Sequence, residues 1–240
     1  QTCALPIFPG RTAPIRDTRV HRYLNMKMAL QKSSNIYMAR LVQRVIDRLG
    51  DEWYRDCLEK DFGFGLKTGI ELPSESSGLV PTPGKLNANG TLQWSRPTPF
   101  SLSFGYNILV NSLQMVKAFA VLANGGYDVQ PTLLRKIVKT HRNGREEVLL
   151  DSSFLGKKKQ IFDEKIVKDL RKALQYTTKP GGCAAKGDIF GYTEVGKTGT
   201  SEKVINGAIS RKNHVSSFIG WSPAESPRFV LMIVIDEPEK

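Results

Sequence analysis

The sequence predicts a mixed α/β (α+β) fold in which an antiparallel sheet is flanked by helices and accompanied by an all-helical subdomain. Apolar residues recur at helical spacing between residues 23 and 58, which indicates several consecutive helices. Short apolar runs separated by turn residues dominate the last third of the chain, which indicates strands. The 240 residues, of which 40% are hydrophobic and 24% are charged, suit one large domain or two small ones with a real core.

The first third of the chain predicts three helices. A short helix is expected over residues 23–31, and Lys32-Ser33-Ser34-Asn35 interrupts it because serine and asparagine side chains compete for backbone hydrogen bonds. A second helix is expected from residue 36 to the stop at Gly50. Asp51-Glu52 then begins a third helix. The Ser33-Ser34-Asn35 triplet is therefore expected in a turn between two helices.

The middle of the chain is predicted to be less regular. Residues 73–100 are expected to form a long connection and residues 98–107 a further loop, followed by a helix from Ser112 to Ala123. Residues 131–140 and 147–150 are expected as strands, because Asn143-Gly144 between them is a strong hairpin signal. Asp163-Glu164 starts a helix whose predicted buried stripe consists of Ile166, Val167, Leu170, Ala173 and Leu174.

Three strands are predicted near the end of the chain, around Gly196, over residues 215–221 and over residues 229–235. We expect them to form an antiparallel sheet with the Lys197 strand at one edge. Residues 229–235 are apolar at every position, which predicts a strand inside the sheet, covered on both faces.

Composition excludes several classes of function. The net charge of +12 favours solvated basic faces, since no aromatic interleaving or nucleic-acid motif accompanies it, and we expect no nucleic-acid partner. The longest apolar run is far shorter than the ~18 residues of a membrane span. Cys3, Cys57, Cys183 and the three histidines lack metal-ligand spacing, so we expect neither a metal site nor a cofactor.

The segment Val195–Thr200 places a lysine, two threonines and two glycines together, which suits an anion-binding site. Residues 191–198 fit the phosphate-loop pattern G-x-x-x-x-G-K-[ST], which makes a nucleotide-binding protein one alternative. That pattern requires a hydrophobic strand before it and a long helix after it. Residues 184–190 are polar, and Asn206-Gly207 interrupts the segment that follows, so this alternative is remote.

The same segment also contains Lys197-Thr198-Gly199, and Ser33-Ser34-Asn35 supplies an S-x-N triplet upstream. Both triplets belong to the motif set of beta-lactamases and penicillin-binding proteins. Each triplet alone is weak, because short patterns of this kind occur by chance.

The sequence between the two triplets supports the penicillin-binding interpretation over the phosphate-loop one. The matching segments, in chain order, are residues 29–35, 62–65 with 68–70, 113–114 with 123–126, 196–200 and 218–221. Together they resemble the transpeptidase domain of a class B penicillin-binding protein. The resemblance covers residues 13–240, and residues 1–12 are expected to be poorly defined or non-native.

The resemblance implies a role for each motif residue. Ser33 would relay a proton toward the leaving nitrogen, Asn35 would bind the substrate amide, and Lys197 would polarise Ser33 and attract the substrate carboxylate. The substrate-binding residues would be Thr198, Gly199 and Thr200, with hydroxyls on the carboxylate and the Thr200 N–H in the oxyanion hole.

One element of the family is missing from the sequence. No S-x-x-K tetrad occurs in the 240 residues, and the family places it upstream of the S-x-N triplet. We therefore expect a domain truncated at both ends, with its nucleophile outside these residues and no activity of its own.

The resemblance also implies partners and a location. The expected ligands are peptidoglycan stem peptides ending in D-Ala-D-Ala and the beta-lactams that mimic them. The expected protein partners are membrane proteins of the divisome or elongasome, contacted through the parent chain. The site would lie in the periplasm or at the extracytoplasmic face of the membrane, anchored by a segment absent from this chain. A beta-lactam sensor or a beta-lactamase-like domain is the alternative.

Overall fold

The structure is a computed structural model and describes residues 6–152, 159–205 and 208–239. Its helices are α1 (Met26–Lys32), α2 (Asn35–Leu49), α3 (Asp51–Asp56), α4 (Thr98–Leu102), α5 (Ser112–Ala123) and α6 (Glu164–Thr178). Its strands are β1 (Lys136–Thr140), β2 (Glu146–Asp151), β3 (Val195–Ile205), β4 (Ala208–Ser222) and β5 (Phe229–Asp236). The predicted combination of helices with an antiparallel sheet is confirmed.

The three N-terminal helices follow the predicted pattern. α2 ends at Gly50, whose φ of 86° lies in the region that glycine tolerates best. α3 continues beyond Asp56 as one turn of π-helix, Cys57–Asp61. None of the helices in the described ranges is long and apolar enough to cross a lipid bilayer.

The helical part has its own small core, which includes a helix that the sequence pattern did not indicate. Phe8, Ile15, Ala39 and Phe100 pack together there. The expected loop over residues 98–107 was wrong in its first part, because α4 occupies Thr98–Leu102 and every one of its residues is buried. A five-residue helix with proline in its first turn is too short to show periodicity, and packing against α2 stabilises it instead.

The three-stranded sheet has the order β3-β4-β5 and is antiparallel throughout, with β3 at one edge as predicted. The prediction that residues 229–235 lie inside the sheet was wrong. β5 pairs only with β4 among the described strands, and Phe229, Leu231 and Ile233 stay 57%, 49% and 48% exposed. Each strand pairs with its neighbour in the chain, so the middle strand β4 becomes central regardless of how apolar β5 is.

A separate two-stranded sheet joins β1 to β2, which confirms the predicted hairpin. The turn between them contains Gly144 with a φ of 80°, the conformation that the Asn-Gly signal predicts. The first strand is shorter than expected, because residues 131–135 lie outside the ladder.

α5 and α6 pack against the three-stranded sheet and build a second core around Leu174, Val195, Trp221 and Ala224. The predicted stripe of α6 is buried at Val167, Ala173 and Leu174, whereas Ile166 is 60% exposed and does not belong to it. α5 is capped by Asn111 through a capping box with Gln114. These contacts hold the β3 strand firmly against the body of the protein.

Candidate active site

Ser33 lies in the tight turn between α1 and α2 and has an unusual backbone conformation. Its φ and ψ are 55° and 50°, the left-handed region that residues other than glycine rarely adopt. The turn is fixed by backbone hydrogen bonds from the Ser33 N–H to the Leu30 carbonyl (3.2 Å) and from the Ser34 N–H to the Ala29 carbonyl (3.0 Å). Ser34 then caps α2, where its Oγ accepts from the Tyr37 N–H.

Lys197 lies on β3, opposite Ile219 of β4, and its ammonium reaches the Ser33 turn. The Nζ donates to the Ser33 Oγ over 2.8 Å and to the Thr198 carbonyl over 2.8 Å. The Cys183 Sγ lies 3.9 Å from the same nitrogen. An ammonium has three N–H donors, so these three acceptors account for all of them.

Burial lowers the pKa of Lys197 below its ordinary value, because desolvation penalises the charged form. The Cys183 side chain acts in the opposite direction and raises that pKa, through its electrostatic interaction with Nζ and its contact with the same atom. Lys197 is therefore a lysine whose proton is held less tightly than usual and whose neighbours include a hydroxyl and a thiol.

β3 is held in place from behind by α6. The Thr177 Oγ, which is fully buried, donates a hydrogen bond to the Gly196 carbonyl. A Cβ at Gly196 would collide with the Phe218 ring, so glycine permits this ring to lie against the strand. The backbone on the N-terminal side of Lys197 is thus fixed by packing on both sides.

The structure places the remaining predicted residues in different surroundings. Thr198 is half-buried, and Gly199 and Thr200 are exposed on the following positions of β3. Asn35 begins α2, and its Nδ2 donates to the Arg16 carbonyl over 3.1 Å. No hydrogen bond within the described residues joins Asn35 to Lys197, so the structure brings Ser33 and Lys197 together and leaves Asn35 against the N-terminal segment.

A cavity of about 530 Å³ adjoins the Lys197 strand. Thr198 and Phe218 line one side of it, and residues 182–187, with Cys183 among them, line the other. This volume lies within the range of small-molecule sites, roughly 300–1,000 Å³. The outer edge of β3 pairs with no strand in the described ranges, and an edge of this kind can be joined by an extended ligand.

The phosphate-loop alternative was wrong. Lys197 and Thr198 belong to strand β3, whereas a phosphate loop places the lysine and threonine where a loop enters a helix. The segment that follows continues as strand to Ile205, and Asn206-Gly207 lies outside the described residues. No group of three or more histidines, cysteines or acidic residues in the described part of the chain is arranged to hold a metal ion.

Two residues of the site were missed by the sequence analysis. Asp17 accepts hydrogen bonds from the Ser34 Oγ (2.6 Å) and from the Ile36 N–H (3.0 Å). Cys183 contacts Lys197, whereas its spacing in the sequence indicated only that it belongs to no metal site. Neither residue lies in a pattern with recognisable spacing, because the first is 17 residues from its partner and the second lies in an irregular loop.

Comparisons with known proteins show which family and fold this chain is similar to. Residues 9–240 match the family described as the penicillin binding protein transpeptidase domain. The probable peptidoglycan D,D-transpeptidase PenA of Neisseria gonorrhoeae is 30% identical over 234 residues, which cover 94% of this chain and 34% of that protein. Stage V sporulation protein D of Bacillus subtilis is 32% identical over 193 residues, covering 80% of this chain and 28% of that protein.

Solved structures show the same fold. Penicillin binding protein 3 of Mycobacterium tuberculosis, complexed with ampicillin, is similar with a TM-score of 0.77 and 27% identity. The similarity covers 93% of this chain and 48% of that one. The chain spans about a third of the length of the curated relatives quoted above.

Proposed function

This chain belongs to the penicillin-binding protein transpeptidase domain family, and from that premise we propose that it supplies two walls of an acyl-serine D,D-transpeptidase site. The turn at Ser33 is one wall and the β3 strand at Lys197 is the other. The observation that carries the proposal is the 2.8 Å hydrogen bond from the Lys197 Nζ to the Ser33 Oγ, which joins residues 164 positions apart. The nucleophilic serine belongs to an S-x-x-K segment outside these residues.

The proposed reaction cross-links peptidoglycan stem peptides in cell-wall synthesis. The nucleophilic serine attacks the carbonyl of the penultimate D-alanine, and the peptide bond to the terminal D-alanine breaks. Ser33, polarised by Lys197, relays a proton to the leaving nitrogen, so D-alanine departs as a neutral amine. The amine of a second stem then takes the acyl group and regenerates the serine.

Substrate binding is assigned to the β3 strand and the turn. The Thr198 and Thr200 hydroxyls bind the substrate carboxylate, Gly199 leaves room beside the strand, and the Thr200 N–H serves the oxyanion hole. Asn35 binds the substrate amide once its side chain releases the Arg16 carbonyl. Support comes from the adjoining cavity and from the open edge of β3.

Beta-lactams are the second ligand class in the proposal. The penicillin binding protein 3 of M. tuberculosis is described as complexed with ampicillin, and the fold of this chain is similar to it. The relatives quoted above include a D,D-transpeptidase, which favours the enzyme over a beta-lactam sensor or a beta-lactamase-like domain.

The location and protein partners follow from the same function. A peptidoglycan transpeptidase works in the periplasm or on the extracytoplasmic face of the cell membrane, where its substrate is. We place this chain there, in a protein that is anchored by another segment and works with membrane proteins of the divisome or elongasome. The PenA relative, which is named a probable peptidoglycan D,D-transpeptidase, supports this placement.

Lys197→Ala tests the proposal in the full-length protein that includes an S-x-x-K segment. Losing the group that polarises Ser33 should lower the rate of acylation by a fluorescent penicillin on the order of 100-fold, the lower end for general acid–base groups. The rate is read from the labelled band over time. Lys212→Ala, which removes an exposed lysine of β4, is the matched control and should leave the rate within twofold. Equal rates for the two variants would refute the assigned role of Lys197.

A further inference from the structure

We propose that Asp17 is a positioning residue that sets the geometry of the Ser33 turn for the transpeptidase reaction, an inference that rests on the proposed function. Asp17 precedes the first helix by nine residues, in a segment without regular structure. Its carboxylate nevertheless contacts the residues immediately after Ser33. The Oδ2 accepts from the Ser34 Oγ over 2.6 Å, and the Oδ1 accepts from the Ile36 N–H over 3.0 Å.

The carboxylate completes a polar network around a buried hydroxyl. Ser34 is 1% exposed, and its Oγ accepts from the Tyr37 N–H (3.1 Å) while donating to Asp17. A hydroxyl that is both donor and acceptor has one orientation, so Ser34 cannot rotate without breaking a bond. Because the hydroxyl is buried, breaking either bond leaves a polar group without water to replace it.

The electrostatics at the start of α2 favour the same arrangement. The first N–H groups of a helix have no partner within the helix and carry a partial positive charge. The Ser34 Oγ accepts a hydrogen bond from the Tyr37 N–H, and the Asp17 Oδ1 accepts one from the Ile36 N–H. An anionic side chain in this position is stabilised by the helix and in turn fixes where the helix begins.

The consequence for the site lies one residue upstream. Ser33 holds a left-handed conformation that a serine keeps only when its surroundings over-determine it. α1 fixes the turn from one side through the bonds to Ala29 and Leu30, and Asp17 fixes it from the other side through Ser34. The Ser33 Oγ therefore stays within 2.8 Å of the Lys197 Nζ, because both ends of the turn are tied.

The neighbouring residue, Arg16, holds Asn35 until substrate binds. The Arg16 carbonyl accepts from the Asn35 Nδ2, so the dipeptide Arg16-Asp17 contacts residues 34, 35 and 36 in succession. Two consecutive upstream residues thus hydrogen-bond to the end of the S-x-N triplet and to the start of α2.

The test uses the full-length protein that includes an S-x-x-K segment, with a fluorescent penicillin as the probe. Asp17→Asn keeps the size of the side chain and removes its charge. We expect the acylation rate constant at saturating penicillin to fall roughly 10- to 100-fold, the cost of weakening hydrogen bonds to a charged group. The noncovalent dissociation constant should change less than twofold, because Ser33 acts on bond breaking rather than on docking.

Asp163→Asn is the matched control. Asp163 caps α6 by accepting from the Lys165 N–H, and α6 and α2 each contain 15 residues. The control removes the same charge from the N-terminus of a helix of equal length, so it should leave the acylation rate within twofold. A rate for Asp17→Asn within twofold of this control would overturn the proposal.

A second variant, Ser34→Ala, tests the same contact from its other side. It removes the bond to the Asp17 Oδ2 while retaining the bond from the Ile36 N–H, and it decides the question should Asp17→Asn fail to fold. We expect a loss of rate similar to that of Asp17→Asn. We expect the double variant to lose less than the sum of the two single losses, since both changes weaken the contact between Ser34 and Asp17. Additive losses would overturn the proposal, whereas a wild-type protein that forms no penicillin adduct would overturn the proposed function itself.

Discussion

At the scale of single residues, the site depends on three acceptors around one ammonium. Lys197 donates to Ser33 and to the Thr198 carbonyl and contacts Cys183, so its position is defined by groups from three different parts of the chain. Burial lowers its pKa and Cys183 raises it. A residue with no place in the recognised motifs therefore partly offsets the effect of burial on the Lys197 pKa.

Replacing Cys183 with alanine should move the pH dependence of acylation. The Cys183 contact raises the Lys197 pKa, so its removal lowers that pKa further, and the ammonium is lost at a lower pH as the pH rises. We expect the alkaline limb of the profile of acylation rate against pH to move to lower pH in the full-length protein. Cys57→Ala is the control, because it replaces a free cysteine in the π-helical turn that follows α3. A limb that stays in place or moves to higher pH would contradict this account.

At the scale of elements, the position of β3 depends on its contact with α6. The Thr177 hydroxyl lies within hydrogen-bond distance of the Gly196 carbonyl and of the Leu174 carbonyl in its own helix. The hydroxyl of the next residue, Thr178, contacts only the Gln175 carbonyl of that helix. Both threonines are fully buried. They form a matched pair in which only one joins the helix to the strand of Lys197.

Thr177→Val should lower the free energy of unfolding by about 1–3 kcal/mol, the cost of leaving a buried acceptor without its donor. Thr178→Val should cost less, because its partner carbonyl belongs to the same helix. Urea denaturation of the two variants under identical conditions measures the difference. Equal losses, or a larger loss for Thr178→Val, would show that the contact between α6 and β3 contributes little.

At the scale of the whole molecule, the chain builds two cores, and the Ser33 turn is supported by both. α2 packs in the core around Phe100, whereas Leu30 of α1 packs against the core around Trp221, which also supports β3. Ser33 and Lys197 therefore come into contact although more than 160 positions separate them in the chain.

The chain alone, expressed as residues 1–240, should form no covalent adduct with penicillin. It contains no S-x-x-K tetrad, so the serine that the family acylates is not among its residues. Intact mass spectrometry after incubation with excess benzylpenicillin measures this directly, and the full-length protein serves as the positive control. An adduct on any serine of the isolated chain would mean that the nucleophile has been assigned to the wrong place.

Local sequence was sufficient for the elements whose signals are short-range. α2 repeats its apolar residues along one face and ends at Gly50, and the β1–β2 hairpin turns at Asn143-Gly144, because such patterns depend only on neighbours in the chain. The order of the Ser33 and Lys197 triplets, with the segments between them, was sufficient to indicate the family. By itself, then, the sequence determined the fold class, the family and which residues to examine.

The tertiary structure alone decided what those residues contact. It placed α4 in the core, left β5 at an edge, and joined Asp17 to Ser34 and Cys183 to Lys197. The spacing of apolar residues along the sequence predicts none of these outcomes. Burial and strand order depend instead on which distant segments of the chain can pack together. A hydrogen bond between positions 33 and 197 exists only once α1, α2 and β3 have packed against segments that lie far from them in the chain.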